Sequence, residues 1–182
     1  QENANRLSPL SAFNLNRIDD IRNYETGISS SIGFDYEVKK GDSKFDLSIA
    51  QIINKKENNK MADITSLNEK VSDLVGSSKY KVNKNLDIKY DFSIDQNYQD
   101  LNYNEISTKL KYSSVDLNFG FLQEKKHLGN QEYFTTKIDL KKNGNGLFSF
   151  ETKRNLITNS AEFYNLSYEY INDCLRAGLV FR

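Results

Sequence analysis

The 182-residue chain balances 25 lysine and arginine residues against 25 aspartate and glutamate residues, and it contains one His, one Cys and no Trp. Zero net charge removes the basic field on which non-specific nucleic-acid binding depends, so we expect no nucleic-acid partner. A single His and a single Cys cannot form a Cys/His zinc site, and the longest hydrophobic run, 179–181, is far too short for a membrane helix. We therefore expect no metal, no cofactor and no membrane-spanning helix.

No Pro-, Gly- or Ser-rich linker divides the chain, and its length suits one domain. We expect residues 1–25 to lead into a single unit formed by residues 26–182. The polar residues 1–5 have no charged n-region and no apolar h-region, so we expect no signal peptide there. The 11 Tyr and 11 Phe residues exclude a disordered coil, because such a sticky composition needs an ordered fold.

Alternation of apolar and polar residues is the dominant pattern, and residues 86–95 show it best. Ile88, Tyr90 and Phe92 share one face of this stretch, while Lys89 and Asp91 share the other. A period of two is typical of a β-strand with one apolar and one polar face. The same pattern predicts ten strands, at residues 28–38, 44–49, 74–82, 86–95, 105–112, 115–121, 134–140, 148–151, 164–170 and 174–182.

Short and longer connections alternate between the predicted strands. The short ones are rich in residues that tolerate positive φ, as hairpin turns are, and lie at 39–42, 83–85, 113–114, 142–146 and 171–173. The others are mostly longer, at 54–73, 96–100, 124–131 and 155–160. Outer-membrane barrels place short turns on the periplasmic side and long loops outside. The pattern therefore favours an all-β fold, an antiparallel transmembrane β-barrel segment of about ten strands with short periplasmic turns and longer extracellular loops.

The two faces of the predicted sheet suit such a wall. Charges of both signs on the polar face require water, so we expect the lumen to be lined by Lys89, Asp91, Lys109, Lys111, Lys137, Asp139 and Arg176. We expect lipid to contact Ile88, Tyr90, Phe92, Leu117 and Phe119. Near the short turns, an aromatic girdle is indicated by Tyr36, Tyr80, Tyr112 and Tyr170. The alternative, that these tyrosines cap the core of a soluble sandwich, stays open.

One stretch departs from the strand period. Ile64, Leu67, Val71 and Leu74 recur at steps of three and four, and residues 66–69 have the form of a capping box. This predicts either a short helix around residues 64–73 or an irregular loop within the longest connection.

Three motifs resemble those of the LptD family of lipopolysaccharide-assembly proteins of the Gram-negative outer membrane. Residues 12–17, followed by Arg22, Glu25 and Gly27, resemble the family's aromatic-x-Leu-Asn-Arg…Arg-x-x-Glu-Gly pattern, with Thr26 as one insertion. Two further segments follow in the family's order, at 67–76 and 168–179, the latter resembling its near-terminal Tyr-Glu…Cys…Gly-Leu hairpin.

The resemblance implies a fold and a role. The family is an outer-membrane translocon in which a periplasmic jelly-roll receives lipopolysaccharide from a periplasmic bridge (LptA-like), and a large barrel, plugged by an LptE-like lipoprotein, releases it into the outer leaflet. It implies that this chain is the C-terminal portion of that barrel, an open arc of a larger wall in contact with outer-membrane lipid, and not an enzyme. It also implies that Cys174, after a short turn, forms a disulfide with a cysteine outside this chain.

Two rival functions remain at this point. A passive porin-like channel would show the same alternation, because constriction residues cannot be recognised in a sequence. A barrel hydrolase would pair His127, in a long connection, with a carboxylate such as Glu124 or Asp139, as general-base chemistry requires. No serine or acidic cluster converges on His127 in the sequence, so the hydrolase is the weaker alternative.

Overall fold

The computed structural model describes residues 6–15, 17, 25–61, 65–126, 129–142, 145–172 and 174–181. Ten strands form one antiparallel sheet in which each strand pairs with its sequence neighbours. They are β1 (Ser29–Lys40), β2 (Ser43–Asn54), β3 (Leu74–Asn83), β4 (Leu86–Ile94), β5 (Leu101–Tyr112), β6 (Val115–Glu124), β7 (Gln131–Lys142), β8 (Gly146–Asn155), β9 (Ser160–Ile171) and β10 (Arg176–Phe181). Among the described residues β1 and β10 do not pair, so the sheet is an open meander. The predicted all-β architecture is confirmed.

The strands have the length of a membrane wall. β1 to β9 contain 9 to 12 residues each, and a tilted strand needs about 9–11 to cross a bilayer. Several strands extend further toward the longer connections than the alternation predicts: β2 reaches Asn54 and β5 begins at Leu101. Polar residues at these ends obscure the period-two pattern while their backbone groups still pair. No described helix has the length and apolar character needed to cross a membrane.

Strand register assigns every side chain to a face, because directly opposed residues of antiparallel strands share one. Tyr90 of β4 opposes Ser78 of β3 and Ile106 of β5, whereas Asp91 opposes Glu105. Residues 6–15 and 17 pack on the Asp91 side, which we call the inner face. The Tyr90 side is the outer face.

Large apolar side chains crowd the outer face, and no described part of the chain covers them. Phe34, Tyr36, Phe45 and Tyr80 form a series of ring contacts across β1, β2 and β3, with centroid separations of 6.3, 6.4 and 6.1 Å. The four tyrosines of the predicted girdle lie on this face, each at least 37% exposed. A soluble sandwich would cover this surface with a second layer, since exposed apolar patches of this extent mark interaction surfaces. The structure thus favours a barrel wall over a soluble core.

The long connection between β2 and β3 adopts the irregular alternative, and the helix predicted around 64–73 is not formed over residues 65–73. Ser66 has a left-handed backbone (φ 59°), which interrupts any helix there. The Ser66 hydroxyl accepts a hydrogen bond from the Asp73 N–H instead of capping a first turn. The Asn54 side chain donates to the backbone oxygens of Leu67 and Glu69. Ile64 lies outside the described residues.

The two faces can be distinguished by an arginine placed at adjacent positions of β4 in the full-length protein. Tyr90→Arg puts a cation on the outer face, where a mid-bilayer arginine costs about 2–4 kcal/mol. Asp91→Arg puts it on the inner face beside Glu105, and it loses only the ion pair with Lys89. We expect Tyr90→Arg to reduce the assembled, heat-modifiable protein severalfold and Asp91→Arg to assemble nearly as the parent does. Equal assembly of the two variants would contradict the wall.

Candidate functional site

A segment before β1 lies across the inner face. We call residues 6–15 and 17 the strap. Its Leu7 and Ala12 are buried against strands β2 and β3 and the long connection between them. The small core so formed contains Leu7, Ala12, Ala50, Ile52, Met61, Leu67 and Val75. The strap therefore has its own apolar anchor on the otherwise polar inner face.

Arg17 fastens the strap to the start of β1. Its guanidinium donates to the Ala12 carbonyl oxygen at 2.9 Å and to the hydroxyls of Ser29 and Ser31 at 3.0 Å each, and it forms an ion pair with Glu25. Arg17 and Glu25 both belong to the motif at residues 12–27, so the motif's charged pair has a structural explanation. The motif's other arginine, Arg22, lies outside the described residues.

The motif's aromatic residue makes a second attachment. The ring of Phe13 lies on Gly33 of β1, where an added Cβ would be 2.5 Å from the ring's Cζ atom. A side chain at position 33 would therefore displace the ring, because the backbone carbonyl of Ile49 approaches the same point at 3.0 Å. The glycine makes room for the strap.

Arg6 joins the strap to the far side of the inner face. Its Nη2 donates to Oε2 of Glu124 at 2.6 Å, and the Glu124 side chain is completely buried. The guanidinium carbon also lies 3.4 Å from the centroid of the Tyr103 ring. The Tyr103 hydroxyl in turn donates to Glu105. The strap thus spans from β1 to β6.

A second buried carboxylate lies at the same end of the inner face. Asp73 is 1% exposed and accepts hydrogen bonds from the Ser93 hydroxyl at 2.9 Å and from the Asn102 amide at 2.8 Å. The ammonium of Lys126 lies 3.5 Å from its other oxygen. These contacts tie β3, β4, β5 and the connection after β6 together where the longer loops emerge, so they stabilise that end of the sheet.

Between the strap and strands β2 to β5 lies a cleft of about 1010 Å³. Its charged lining includes two ion pairs within the sheet, Lys44 with Asp46 at 2.8 Å and Lys89 with Asp91 at 2.5 Å. Lys79 also lines it. A cleft with both signs of charge suits water and a polar or charged ligand, not an apolar one.

The two predicted sets of site residues separate by face. The inner face carries Lys89, Asp91, Lys109, Lys111, Lys137, Asp139 and Arg176. The outer face carries Ile88, Tyr90, Phe92, Leu117 and Phe119. Within the first set, Lys137 and Asp139 lie 3.7 Å apart, and Arg176 contacts Glu169 at 3.0 Å.

Cys174 lies in the turn between β9 and β10 and is an exposed, free cysteine in the described structure. The alternation placed it within the last strand, but β10 begins at Arg176. The Asn172 side chain explains the difference, because its oxygen accepts hydrogen bonds from the N–H groups of Cys174 and Leu175 and so closes a turn. Cys174 thus lies in the short turn itself and not at the start of the last strand.

The hydrolase alternative gains nothing from the structure. His127 lies outside the described residues. Of its two candidate partners, Glu124 is bound to Arg6, and Asp139 accepts a hydrogen bond from Ser149. In the β6–β7 register Glu124 opposes Gln131, eight positions from Asp139 and so about 26 Å away.

Releasing the strap tests its attachment. Arg6→Ala removes the guanidinium that bonds to the buried Glu124 carboxylate, and removing one member of a buried ion pair costs about 3–5 kcal/mol. We expect trypsin to cleave the folded full-length protein after Arg17 at least about 100-fold faster, because a cost of about 3–5 kcal/mol raises local opening of the strap by at least that factor. Lys125→Ala, which removes an exposed cation next to Glu124, is the matched control. Unchanged cleavage of Arg6→Ala would show that the ion pair does not hold the strap.

Comparison with known families agrees with these motifs. The family model described as LPS transport system D matches residues 4–168, which include the strap and β1 to β8 in full. Comparison with curated protein sequences gives no match. The matched region covers most of the chain and includes the motifs at 12–27 and 67–76, whereas the segment at 168–179 lies beyond it except for its first residue. The chain therefore belongs to the LptD family, a lipopolysaccharide transport family of the outer membrane.

Proposed function

We propose that this chain forms part of the barrel wall of an outer-membrane translocon that inserts lipopolysaccharide into the outer leaflet of a Gram-negative cell. The observation that supports the proposal most is the contrast between the two faces of one continuous sheet. The outer face is an exposed apolar surface, and the inner face is charged and bears the strap. A wall between lipid and a wet passage satisfies both faces.

In this arrangement each predicted set of residues has a role. Ile88, Tyr90 and Phe92 contact lipid, together with the apolar residues at the same level of β6. Lys89, Asp91 and the other inner-face charges line the lumen. The short turns lie on the periplasmic side, and the longer connections lie outside.

The partners are those that membership of the LptD family implies. Lipopolysaccharide is the cargo, delivered by an LptA-like periplasmic bridge. An LptE-like lipoprotein occupies the lumen. The described hydrogen bonds and ion pairs of the strap extend from β1 to β6, which leaves the inner face of β7 to β10 as the surface for such a plug.

A passive porin-like channel is the second candidate, since it needs the same two faces. The strap argues against it. A buried ion pair and a small apolar core fix a polypeptide segment across the inner face, where an open channel would need free cross-section.

Two adjacent serines provide the test of the transport function. Ser77 lies on the inner face opposite Asp91, and Ser78 lies on the outer face opposite Tyr90. We expect a photo-crosslinking residue at position 77 of the full-length protein to capture lipopolysaccharide in living cells, and blocking lipopolysaccharide synthesis to abolish that adduct within minutes. The same residue at position 78 should capture resident membrane lipid whose adduct outlasts the block. Absence of a lipopolysaccharide adduct at position 77 would favour the porin.

Cys174 tests the orientation. In an oxidising periplasm, an exposed cysteine in a short turn is available to a partner cysteine outside this chain. We expect non-reducing electrophoresis of the full-length protein to show a mobility shift that Cys174→Ser abolishes, accompanied by less surface lipopolysaccharide. Asn172→Ala, which loosens the turn but keeps the thiol, should retain the shift. Free alkylation of Cys174 in the mature, assembled protein would rule the bridge out.

A further inference from the structure

The inner face carries a row of lysines at its short-turn end. Strand register places Lys39 opposite Lys44, Lys44 opposite Lys81, Lys81 opposite Asp87 and Asp87 opposite Lys109. We call Lys39, Lys44, Lys81 and Lys109 the lysine belt. Its four lysines lie on β1, β2, β3 and β5, and Asp87 of β4 lies between Lys81 and Lys109.

Most of the belt lacks a partner. Lys44 bonds to Glu37 and Asp46, at 3.1 and 2.8 Å. Within the described part of the chain, the ammonium groups of Lys39, Lys81 and Lys109 form neither an ion pair nor a hydrogen bond. All three side chains are exposed. Like charges directly opposite one another destabilise a sheet, and the carboxylates of Glu37 and Asp46 offset this repulsion at Lys44 but not at Lys39 or Lys81.

Charge changes sign with depth along the same strands. Two residues further from the short turns, the row of opposed residues contains charges of both signs. Its members are Glu37, Asp46, Lys79 and Lys89. Two residues deeper again, the charged members of the row are Asp35, Asp91 and Glu105, with serines between them on β2 and β3. An anion on this face is attracted at the belt and repelled about 13 Å further along, four residues away.

The position of the belt limits the possible ligands. Its side chains lie on the inner face, opposite to the apolar surface of the same strands, so they cannot reach the headgroups of the surrounding bilayer without leaving that face. The ligand must therefore come through the lumen. Phosphate is the anion that lysine ammonium groups bind as point charges, and clustered lysines suit a head group with more than one phosphate.

We propose that the lysine belt binds the phosphate groups of the lipopolysaccharide saccharide at the short-turn end of the lumen. The carboxylates of Asp35, Asp91 and Glu105, which lie further from the short turns, repel those phosphates and so prevent them from binding there. This inference rests on the proposed transport function and adds to it the chemical group that is recognised and the depth at which it is bound.

The test uses the full-length protein with its partner lipoprotein in detergent, carrying a photo-crosslinking residue at Ser107. That position is on the inner face opposite Lys89 and two residues from Lys109. The probes are lipopolysaccharide, the same lipopolysaccharide chemically dephosphorylated, and phosphatidylglycerol micelles. The belt variant combines Lys39→Gln, Lys81→Gln and Lys109→Gln. The charge-retaining variant replaces the same three residues with arginine.

The matched control removes three exposed lysines outside the belt, with Lys55→Gln, Lys56→Gln and Lys84→Gln. We expect the yield of the lipopolysaccharide adduct to fall at least about tenfold in the belt variant. Three charge contacts are removed, and each contributes roughly a two- to fivefold factor to binding. The arginine variant and the control should keep the adduct. Dephosphorylated lipopolysaccharide should react as weakly with the parent as lipopolysaccharide does with the belt variant. Heat-modifiability of every variant checks that it is assembled.

Three outcomes would overturn the inference. Equal adduct yields with lipopolysaccharide and with dephosphorylated lipopolysaccharide would show that the belt does not bind phosphate. The transport function would be unaffected by that result. An equally strong adduct with phosphatidylglycerol would assign the belt to bilayer phospholipid. Loss of the lipopolysaccharide adduct at Ser107 in the parent, with the adduct at position 77 retained, would remove the belt alone, whereas loss at both positions would remove the transport function as well.

Discussion

The separation of most charged side chains onto one face of the sheet and most large apolar side chains onto the other is the constraint on which this structure depends. Successive side chains of every strand point to opposite faces. The register keeps Asp91 and Glu105 on one face and Tyr90 and Ile106 on the other. A slip of one residue between strands would move charges into the apolar layer, where an unpaired charge is costly. A wall between lipid and water, as proposed above, would give each face a matching solvent and would favour this register.

The strap depends on this segregation. Arg6 and Arg17 find carboxylate and hydroxyl partners because the inner face carries Glu124, Ser29 and Ser31. Burying the Arg6–Glu124 pair stabilises the fold little in net terms, since desolvation of two charges offsets much of their attraction. Leaving either member alone is expensive, however. Such a pair therefore acts mainly to specify where the strap lies, while the apolar anchor at Leu7 and Ala12 contributes the favourable burial.

Local patterns were sufficient to predict the strands, the alternating connection lengths and the face of each predicted site residue. These features depend on neighbours within one hairpin. The strap contacts could not be predicted, because Arg6 and Glu124 are 118 residues apart and neither has a distinctive local context. The capping box at 66–69 failed for a related reason. Asn54, on another element, binds the backbone oxygens that a helix would need. Tertiary contacts overrode a local propensity.

The zero net charge of the chain does not describe how positive and negative side chains are distributed over the inner face. The chain is neutral overall, yet its lysine belt and the acidic row of Asp35, Asp91 and Glu105 occupy different depths. The rows are about 13 Å apart, four residues along a strand, and mobile ions screen charges over about 8–10 Å at physiological salt. In a water-filled lumen the acidic row therefore cannot cancel the field at the belt. A neutral chain can in this way present a basic surface to a ligand that meets its short-turn end first, and the sign it presents depends on depth.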